Sequence, residues 1–303
     1  MKVYITGIAG MLGSNIAYLL KDKYEICGVD IIPFNAKGIK CEQFNLLDYT
    51  SLVKSIHEFA PQYLIHTAAM IDVDLCEEKK EEAYNINTKL TEILSGLCLK
   101  ESCKMIYIST DAVFDGRNDR LYQEKDKTMP VNYYGETKLL GEKSVLKNGH
   151  TVIRTNIYGY NIQDKNSFGE WIYKSLESGA TLNMFTDIYF SPILVNDLAE
   201  VLVCIISSYK SGLFHVCATG AVSKYEFGIY LKKVFRINKG KICAVKSDSF
   251  HFKAIRPENM GMSNKKVCKE YGITLRTAEE SIEYFYELYK NNYHLVLKKW
   301  GGL

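Results

Sequence analysis

The sequence predicts an α/β protein built on a doubly wound parallel sheet, with a smaller C-terminal α/β lobe. In the first half of the chain, short apolar segments alternate with longer segments of helical periodicity, which is the pattern of βαβ units. The short segments are apolar at odd and even positions alike, as strands covered by helices on both faces must be. With 303 residues, the chain is long enough for one large domain or two modest ones.

The predicted elements follow in chain order. Strands are expected at residues 2–6, 25–29, 41–44, 63–66, 104–109 and 151–155. The helices between them are expected at residues 12–21, 49–59, 78–100 and 133–147. Beyond residue 158 the pattern is less regular, with helices at 168–178, 197–207, 223–234 and 277–291, and strands at 181–185 and 212–216. Two of these helices open with capping boxes, Ser223 with Glu226 and Thr277 with Glu280.

Composition argues against several classes of function. A net charge of +3 is small for a nucleic-acid-binding protein, and the basic residues form no stripe. The nine cysteines include no Cys-x-x-Cys pair and the histidines lack metal-ligand spacing, so we expect reduced thiols and no metal site. The chain reaches Gly7 too soon for a signal peptide, and its most apolar stretch, residues 198–206, contains Glu200. We therefore expect a cytoplasmic protein that binds neither nucleic acid nor a membrane.

A glycine-rich turn follows the first predicted strand and runs directly into a helix. The spacing of Gly7, Gly10 and Gly13 lets a backbone approach a pyrophosphate, while the helix N-terminus offers free N–H groups. Asp30 ends the second predicted strand, 23 residues after Gly7, where a carboxylate can accept hydrogen bonds from an adenosine ribose. The glycines alone are weak evidence, but with the strand context and Asp30 they predict a Rossmann-type dinucleotide site.

The domain boundaries follow from this site. Residues 1–158 and 188–211 are expected to form the dinucleotide-binding Rossmann domain, and residues 159–187 and 212–303 the substrate-binding lobe. The aromatic segment 284–293 predicts an amphipathic helix that docks on the core or on another subunit, so a homodimer is one of two interpretations.

Two Tyr-x-x-x-Lys pairs occur in the sequence, Tyr134 with Lys138 and Tyr286 with Lys290. About two such pairs are expected by chance from the frequencies of these residues, so the motif alone carries no weight. Context separates the pairs, because Tyr134 follows a strand that ends in Thr110 and lies in the same half of the chain as the glycine-rich turn. Tyr286 lies in the terminal helix, where we expect a packing or surface role.

The chemistry of carbonyl reduction explains the combination of Thr110, Tyr134 and Lys138. Hydride addition to a ketone places negative charge on its oxygen, which then needs a proton donor. Tyr134 can donate that proton, and Lys138 can lower the phenol pKa from its usual value of about 10. Lys138 can also hold the nicotinamide ribose, while Thr110 can donate a second hydrogen bond to the ketone oxygen. The alternative for Thr110 taken singly is a strand-end hydroxyl that caps a turn.

These motifs resemble the extended short-chain dehydrogenases/reductases, and within them the branch typified by dTDP-4-dehydrorhamnose reductase. The matching segments cover most of the chain in order and are residues 6–13, 66–69, 108–116, 132–138, 152–155, 190–192 and 255–259. The resemblance implies Thr110, Tyr134 and Lys138 as the catalytic set. It implies cofactor contacts at Gly7, Gly10, Met11, Leu12, Asp30, Asn45, Leu46, Ala68, Ala69, Tyr134 and Lys138.

The resemblance also implies a nucleotide-linked sugar as substrate, with Asn87, Asp111 and Arg256 as candidate contacts. Asn87 is expected on the helix that packs against the active site in this family. Arg256 is either a bidentate donor to a diphosphate or half of a surface salt bridge. NADH and NADPH are both candidate cofactors, and Asp30 favours NADH because its carboxylate would repel the 2′-phosphate of NADPH.

Three departures from the branch fall where a sugar would bind. Ile157 stands where a Trp usually follows Arg-Thr-Ser, and Ala112 where a Tyr commonly follows Thr-Asp. Residues 190–193 replace a Phe-Gly-Ser-Pro-Thr segment. The identity and stereochemistry of the sugar therefore do not follow from the resemblance.

The favoured function is an NAD(P)H-dependent reductase of a nucleotide-linked 4-keto-6-deoxy sugar, in deoxysugar biosynthesis. Dehydratases of the superfamily carry Thr-Asp-Glu, and Ala112 in place of that Glu argues against dehydration. Two alternatives stay open. One is an NAD-dependent sugar-nucleotide epimerase, and the other is a non-catalytic regulatory subunit, because the branch includes one for a methionine adenosyltransferase.

Overall fold

The computed structural model describes residues 1–250 and 252–302. Its strands, numbered in chain order, are β1 (Lys2–Thr6), β2 (Glu25–Asp30), β3 (Lys40–Gln43), β4 (Tyr63–His66), β5 (Lys104–Thr110), β6 (Thr151–Thr155), β7 (Ile157–Tyr158), β8 (Thr181–Phe185), β9 (Tyr189–Phe190), β10 (Ile193–Leu194), β11 (Gly212–His215), β12 (Val222–Ser223), β13 (Lys241–Val245) and β14 (Asn259–Met260). Its α-helices are α1 (Met11–Leu20), α2 (Tyr49–Phe59), α3 (Val73–Glu78), α4 (Lys80–Tyr84), α5 (Leu90–Lys100), α6 (Tyr133–Lys147), α7 (Phe168–Glu177), α8 (Val195–Ser207), α9 (Lys224–Val234), α10 (Lys265–Tyr271), α11 (Ala278–Lys290) and α12 (Tyr293–Trp300).

A seven-stranded parallel sheet forms the centre of the molecule, in the order β3-β2-β1-β4-β5-β6-β11. The strand order reverses at β1, which pairs with β2 on one side and with β4 on the other. Thr6 lies opposite His66 in this pairing, so the loops after β1 and β4 begin side by side. Ligands of open α/β sheets bind at such a reversal, at the carboxyl ends of the strands. The predicted doubly wound fold is confirmed.

Helices cover both faces of this sheet, which explains the apolar residues at every position of its inner strands. Along β1, Val3 and Ile5 belong to the hydrophobic core that includes residues of α1 and α8. Tyr4, between them, belongs to the core on the opposite face, with residues of α2 and α5. Side chains alternate between the two faces of a strand, so a strand buried on both faces is apolar throughout.

A smaller α/β lobe contains the short sheets β8–β13 and β12–β9–β14. Its core is rich in aromatic residues and is covered by α7, α9 and α11. Phe285 of α11 is fully buried there, with its ring centroid 4.4 Å from that of Tyr160. The aromatic terminal helix predicted from the sequence therefore docks on its own chain. The predicted capping boxes of α9 and α11 are present, and α7 has a third, Ser167 with Glu170, that the sequence analysis missed.

One predicted domain boundary departs from the sheet topology. Strand β11 was assigned with residues 212–303 to the lobe, yet it pairs with β6 and forms the edge of the central sheet. Helices α10 and α12 also contribute to the core on the α1 face of that sheet, through Val267 and Leu297. Strand β11 joins the central sheet because it pairs with a segment distant in sequence, where Gly212 donates its backbone N–H to the His150 carbonyl at 3.1 Å.

The predicted continuous helix over residues 78–100 is also corrected. The structure contains α3, α4, a π-helical turn at Asn85–Lys89, and α5. π-Helical turns inserted in a helix are frequent at functional sites. This turn carries Asn87, which lies next to α6.

Among the described residues, no helix is both long and apolar enough to cross a membrane. Within the same ranges, no three His, Cys, Asp or Glu side chains are grouped so that they could hold a metal ion.

Candidate active site

The glycine-rich turn forms a cradle at the point where the strand order reverses. Gly7 has a φ of +72°, and a Cβ at this position would lie 2.8 Å from the backbone nitrogen of Ala68 in the loop after β4. Gly10 is the N-cap of α1, and no side chain caps the helix there. The N–H groups of the first turn, beginning at Met11 and Leu12, are therefore left for a ligand, and a helix N-terminus favours a negatively charged one.

Asp30 lies beside this cradle at the end of β2. Its Oδ2 accepts a hydrogen bond from the backbone N–H of Ala9 at 3.0 Å, and its Oδ1 accepts one from Ile32 at 3.2 Å. Burial raises the pKa of this carboxyl, and the backbone hydrogen bonds oppose the shift. The carboxylate thus connects the glycine-rich turn to the end of β2 and keeps lone pairs for a ribose.

The remaining residues implied as cofactor contacts follow the adjoining strands. Asn45 is exposed after β3, and its side-chain oxygen accepts a hydrogen bond from Leu47 at 3.0 Å. Leu46 is buried. Ala68 and Ala69 are half-buried in the loop after β4. The cradle, the uncapped helix and the carboxylate together fit a dinucleotide.

Thr110 is the last residue of β5 and caps the short 3₁₀ turn that follows. Its hydroxyl accepts the backbone N–H of Ala112 at 3.1 Å and donates to Oδ1 of Asp111 at 3.0 Å. Asp111 is buried, and its Oδ2 accepts a hydrogen bond from the Asn156 side chain at 2.6 Å. Both sequence-based interpretations of Thr110 are therefore compatible with one side chain, which caps a turn and borders the cleft.

Tyr134 and Lys138 lie one turn apart on α6. Asn132 caps this helix by accepting the N–H of Gly135 at 2.9 Å. A Cβ on Gly135 would lie 2.2 Å from the carbonyl oxygen of Ala112, so only glycine lets the start of α6 approach the Thr110 turn this closely. Tyr134 is thereby placed near the Thr110 hydroxyl, as the effect of that hydroxyl on the phenol shows.

The pKa shifts of Tyr134 and Lys138 differ from the sequence-based expectation. Burial raises the pKa of Tyr134, and only the nearby Thr110 hydroxyl opposes that shift. Burial lowers the pKa of Lys138 to about 7, while the charge of Glu142 raises it. Lys138 Nζ donates to the Ile108 carbonyl at 2.7 Å and lies 4.2 Å from the ring centroid of Tyr107. The expected lowering of the Tyr134 pKa by Lys138 is therefore not seen in this structure.

A buried ion pair lies behind the site, and the sequence analysis missed it. Glu142, one turn beyond Lys138, receives hydrogen bonds from Nη2 of Arg154 at 2.6 Å and from the Ser109 hydroxyl at 2.6 Å. The side chains of the pair are 1% and 4% exposed. The i, i+4 spacing of Lys138 and Glu142 was the available signal, because it places the carboxylate on the same helix face.

Two of the three predicted substrate contacts are otherwise engaged. Asn87 is buried, and its side chain bonds both backbone groups of Met70 and the Thr137 hydroxyl. Asn87 thereby ties the loop after β4 to α6, and its contact with the substrate stays a prediction. Arg256 donates to Asp74 at 3.0 Å, which is the salt bridge named as its alternative. Tyr286 packs against Phe235, with ring centroids 4.9 Å apart, as expected for a packing residue.

The fold and this cleft define a dinucleotide-binding α/β protein of the extended short-chain dehydrogenase/reductase type. Residues 1–291 match the family model of the RmlD substrate binding domain. The chain therefore belongs to the dTDP-4-dehydrorhamnose reductase-like family of extended short-chain dehydrogenases/reductases.

Three similar proteins illustrate the range of this family. The probable low-salt glycan biosynthesis reductase Agl14 of Haloferax volcanii is 28% identical, over 93% of this chain and 96% of the relative. Methionine adenosyltransferase 2 subunit beta of Pongo abelii is 30% identical, over 91% of this chain and 84% of the relative. The structure of dTDP-4-dehydrorhamnose reductase from Bacillus anthracis in complex with NADP is 26% identical with a TM-score of 0.86, covering 94% of this chain and 98% of that one.

We predict that Glu142→Leu lowers the free energy of unfolding by about 3–5 kcal/mol, because it leaves the buried guanidinium of Arg154 without its carboxylate. Chemical denaturation measures this change. The double variant Glu142→Leu/Arg154→Met should lose less than either single variant, because it leaves no unpaired charge. Glu58→Gln is the matched control, since it breaks an exposed pair on α2 with Lys54 at 3.9 Å and should cost less than about 1 kcal/mol. A loss below about 1 kcal/mol for Glu142→Leu would contradict the prediction.

Proposed function

We propose that this protein is an NAD(P)H-dependent reductase of a nucleotide-linked 4-keto-6-deoxy sugar. The observation that carries the proposal is the placement of Thr110, Tyr134 and Lys138 at the carboxyl edge of the sheet that also holds the glycine-rich cradle. The family adds support, because the Haloferax relative is named a reductase of glycan biosynthesis and the Bacillus anthracis relative a reductase of dTDP-4-dehydrorhamnose.

In the proposed reaction the reduced nicotinamide, when bound, supplies the hydride to the C4 ketone of the sugar. Tyr134 donates a proton to the carbonyl oxygen as negative charge develops there. The raised pKa of Tyr134 keeps the phenol protonated at neutral pH, which is the form that a proton donor requires. An alkoxide is far more basic than a phenolate, so proton transfer from this phenol is favourable even with a raised pKa.

Thr110 and Lys138 position the reacting groups. The Thr110 hydroxyl can turn from Asp111 to donate to the carbonyl oxygen, because Asp111 keeps its hydrogen bond from Asn156. Lys138 is held by the Ile108 carbonyl and keeps two further donors, which suit the hydroxyls of the nicotinamide ribose. The carboxylate of Glu142 favours the charged form of Lys138.

Two other functions on this scaffold differ from reduction in what they do with the dinucleotide. A sugar-nucleotide epimerase regenerates its dinucleotide in every cycle and consumes none. A regulatory subunit turns over no substrate, and the 30% identity to methionine adenosyltransferase 2 subunit beta favours this as the second candidate. Retention of Thr110, Tyr134 and Lys138 favours the enzyme, since a purely structural subunit has no need of them.

We expect consumption of reduced dinucleotide in a one-to-one ratio with a 4-keto sugar nucleotide, over many turnovers. The measurement is the loss of nicotinamide absorbance with a panel of nucleotide-linked 4-keto-6-deoxy sugars, alongside chromatography of the products. Product without net loss of dinucleotide would identify an epimerase. Absence of turnover across the panel, together with binding to a methionine adenosyltransferase catalytic subunit, would identify a regulatory subunit.

We predict that Tyr134→Phe retains dinucleotide binding and lowers kcat by about 10²–10⁴-fold, the usual contribution of general acid catalysis. Steady-state kinetics and a fluorescence titration with NADH measure the two effects. Tyr286→Phe, at the second Tyr-x-x-x-Lys pair, is the control and should change neither. A Tyr134→Phe enzyme with kcat within a few-fold of the wild type would remove Tyr134 from the mechanism.

We propose further that NADH is preferred over NADPH, by at least about tenfold in kcat/KM. The Asp30 carboxylate would face the 2′-phosphate of NADPH as a like charge, and Lys40, the nearest downstream cation on β3, is paired with Glu42 at 2.5 Å. Lys37 is exposed and is not part of this ion pair. It can approach the 2′-phosphate of NADPH, and this limits how strongly NADH is preferred.

The ratio of kcat/KM for the two cofactors tests this preference, and Asp30→Ala should narrow or reverse it. Because Asp30 also accepts the Ala9 N–H, the melting temperature is measured in parallel. Asp22→Ala, at an exposed carboxylate after α1, is the matched control and should leave the ratio unchanged. Equal kcat/KM values in the wild type, or a preference for NADPH, would show that Asp30 does not contact the ribose.

A further inference from the structure

Lys224 occupies an unusual position in the lobe. It is the first residue of α9, directly after the Ser223 N-cap. Antiparallel pairing of β12 with β9 brings Val222 opposite Phe190, and this places Lys224 next to the aromatic core of the lobe. Its Nζ lies 3.3 Å from the ring centroid of Phe190 and 4.4 Å from that of Phe168. Two aromatic faces therefore hold this ammonium in place.

Apart from the two rings, Lys224 has few of the partners that usually hold a buried lysine. Among residues 1–250 and 252–302, the surroundings that act on Nζ include no hydrogen-bond acceptor and only one opposing charge, that of Asp111. A cation at the N-terminus of a helix is also unfavourable, because that end carries the positive part of the helix dipole. Burial lowers the pKa of Lys224 to about 7, which reflects the cost of removing its charge from water. Lys224 is half-buried, so part of its surface stays accessible.

Asp111 connects Lys224 to the reacting centre. Burial raises the pKa of Asp111 and lowers that of Lys224, and in each case the opposite charge of the other group opposes the shift, although the two groups form no direct salt bridge in the described structure. Asp111 in turn accepts the hydrogen bond of the Thr110 hydroxyl. Lys224 thus lies on the lobe side of the cleft, across from the sheet edge that carries Thr110.

We propose that Lys224 binds the sugar of the nucleotide-linked substrate, with its ammonium donating a hydrogen bond to a hydroxyl oxygen of the hexose. A sugar hydroxyl supplies the acceptor that Nζ lacks, and the faces of Phe168 and Phe190 fix the direction of the amine. Asp111 accepts a hydrogen bond from a hydroxyl of the same sugar. This inference rests on the proposed function and assigns the sugar end of the substrate, rather than its diphosphate, to the lobe surface beside Thr110.

The test compares Lys224→Met with the wild type. Methionine retains the length of the side chain and its contact with the two rings, and removes only the amine. Lys233→Met is the matched control, because Lys233 lies on the same helix and is exposed. Each protein, loaded with oxidised dinucleotide, is titrated calorimetrically with dTDP, UDP and GDP and with the corresponding nucleotide-linked glucoses, which contain no ketone to reduce.

We expect Lys224→Met to weaken binding of the preferred nucleotide-linked glucose by about 10- to 100-fold, the usual effect of losing a hydrogen bond from a charged donor. Its affinities for the free nucleoside diphosphate and for the dinucleotide should match those of the wild type, and its melting temperature should be equal or higher. Lys233→Met should behave as the wild type in every titration.

Three results would overturn the inference. Equal affinity of the wild type and Lys224→Met for the nucleotide-linked glucose removes Lys224 from the sugar site and leaves the proposed function intact. An equal loss of affinity for the free nucleoside diphosphate would show that Lys224 contacts the phosphates and not the sugar. Failure of the wild type to bind any of the nucleotide sugars overturns the proposed function together with the inference that depends on it.

Discussion

The close approach of α6 to the end of β5 is the constraint on which the site depends. Gly135 has no Cβ to collide with the Ala112 carbonyl. Further along the same helix, Glu142 accepts hydrogen bonds from Arg154 and Ser109. Tyr134 is the second residue of α6, so these contacts also fix its position. Tyr134 therefore lies next to the Thr110 hydroxyl.

This arrangement concentrates buried charge behind a cleft. Burial disfavours the charged form of Lys138 and of Lys224, and a single carboxylate opposes that effect in each case: Glu142 for the first and Asp111 for the second. Under the proposed function, the bound cofactor and substrate supply hydrogen-bond acceptors to these two buried amines.

Much of the central fold and part of the site could be predicted because their signals are local. Burial on both faces gives the strands their apolar runs, and the capping boxes of α9 and α11 are set by residues three apart. The membership of β11 in the central sheet could not be predicted, since it depends on pairing with a strand about 60 residues earlier. For the same reason the sequence did not indicate Lys224, whose environment comes from Phe168, Phe190 and Asp111 on three separate segments.

The packing of α12 against α1 has a consequence for the order in which the molecule folds. Tyr293 donates its hydroxyl to Asn15 at 2.7 Å across 278 residues of chain, and Trp300 packs edge-on against Tyr18 with ring centroids 5.2 Å apart. On the ribosome, α1 emerges long before α12, and although α8 covers the apolar face of α1, the side chains of Asn15 and Tyr18 lack these partners until α12 has been synthesised. The contact between α1 and α12 is therefore a late step of folding, which follows the synthesis of all strands of the central sheet.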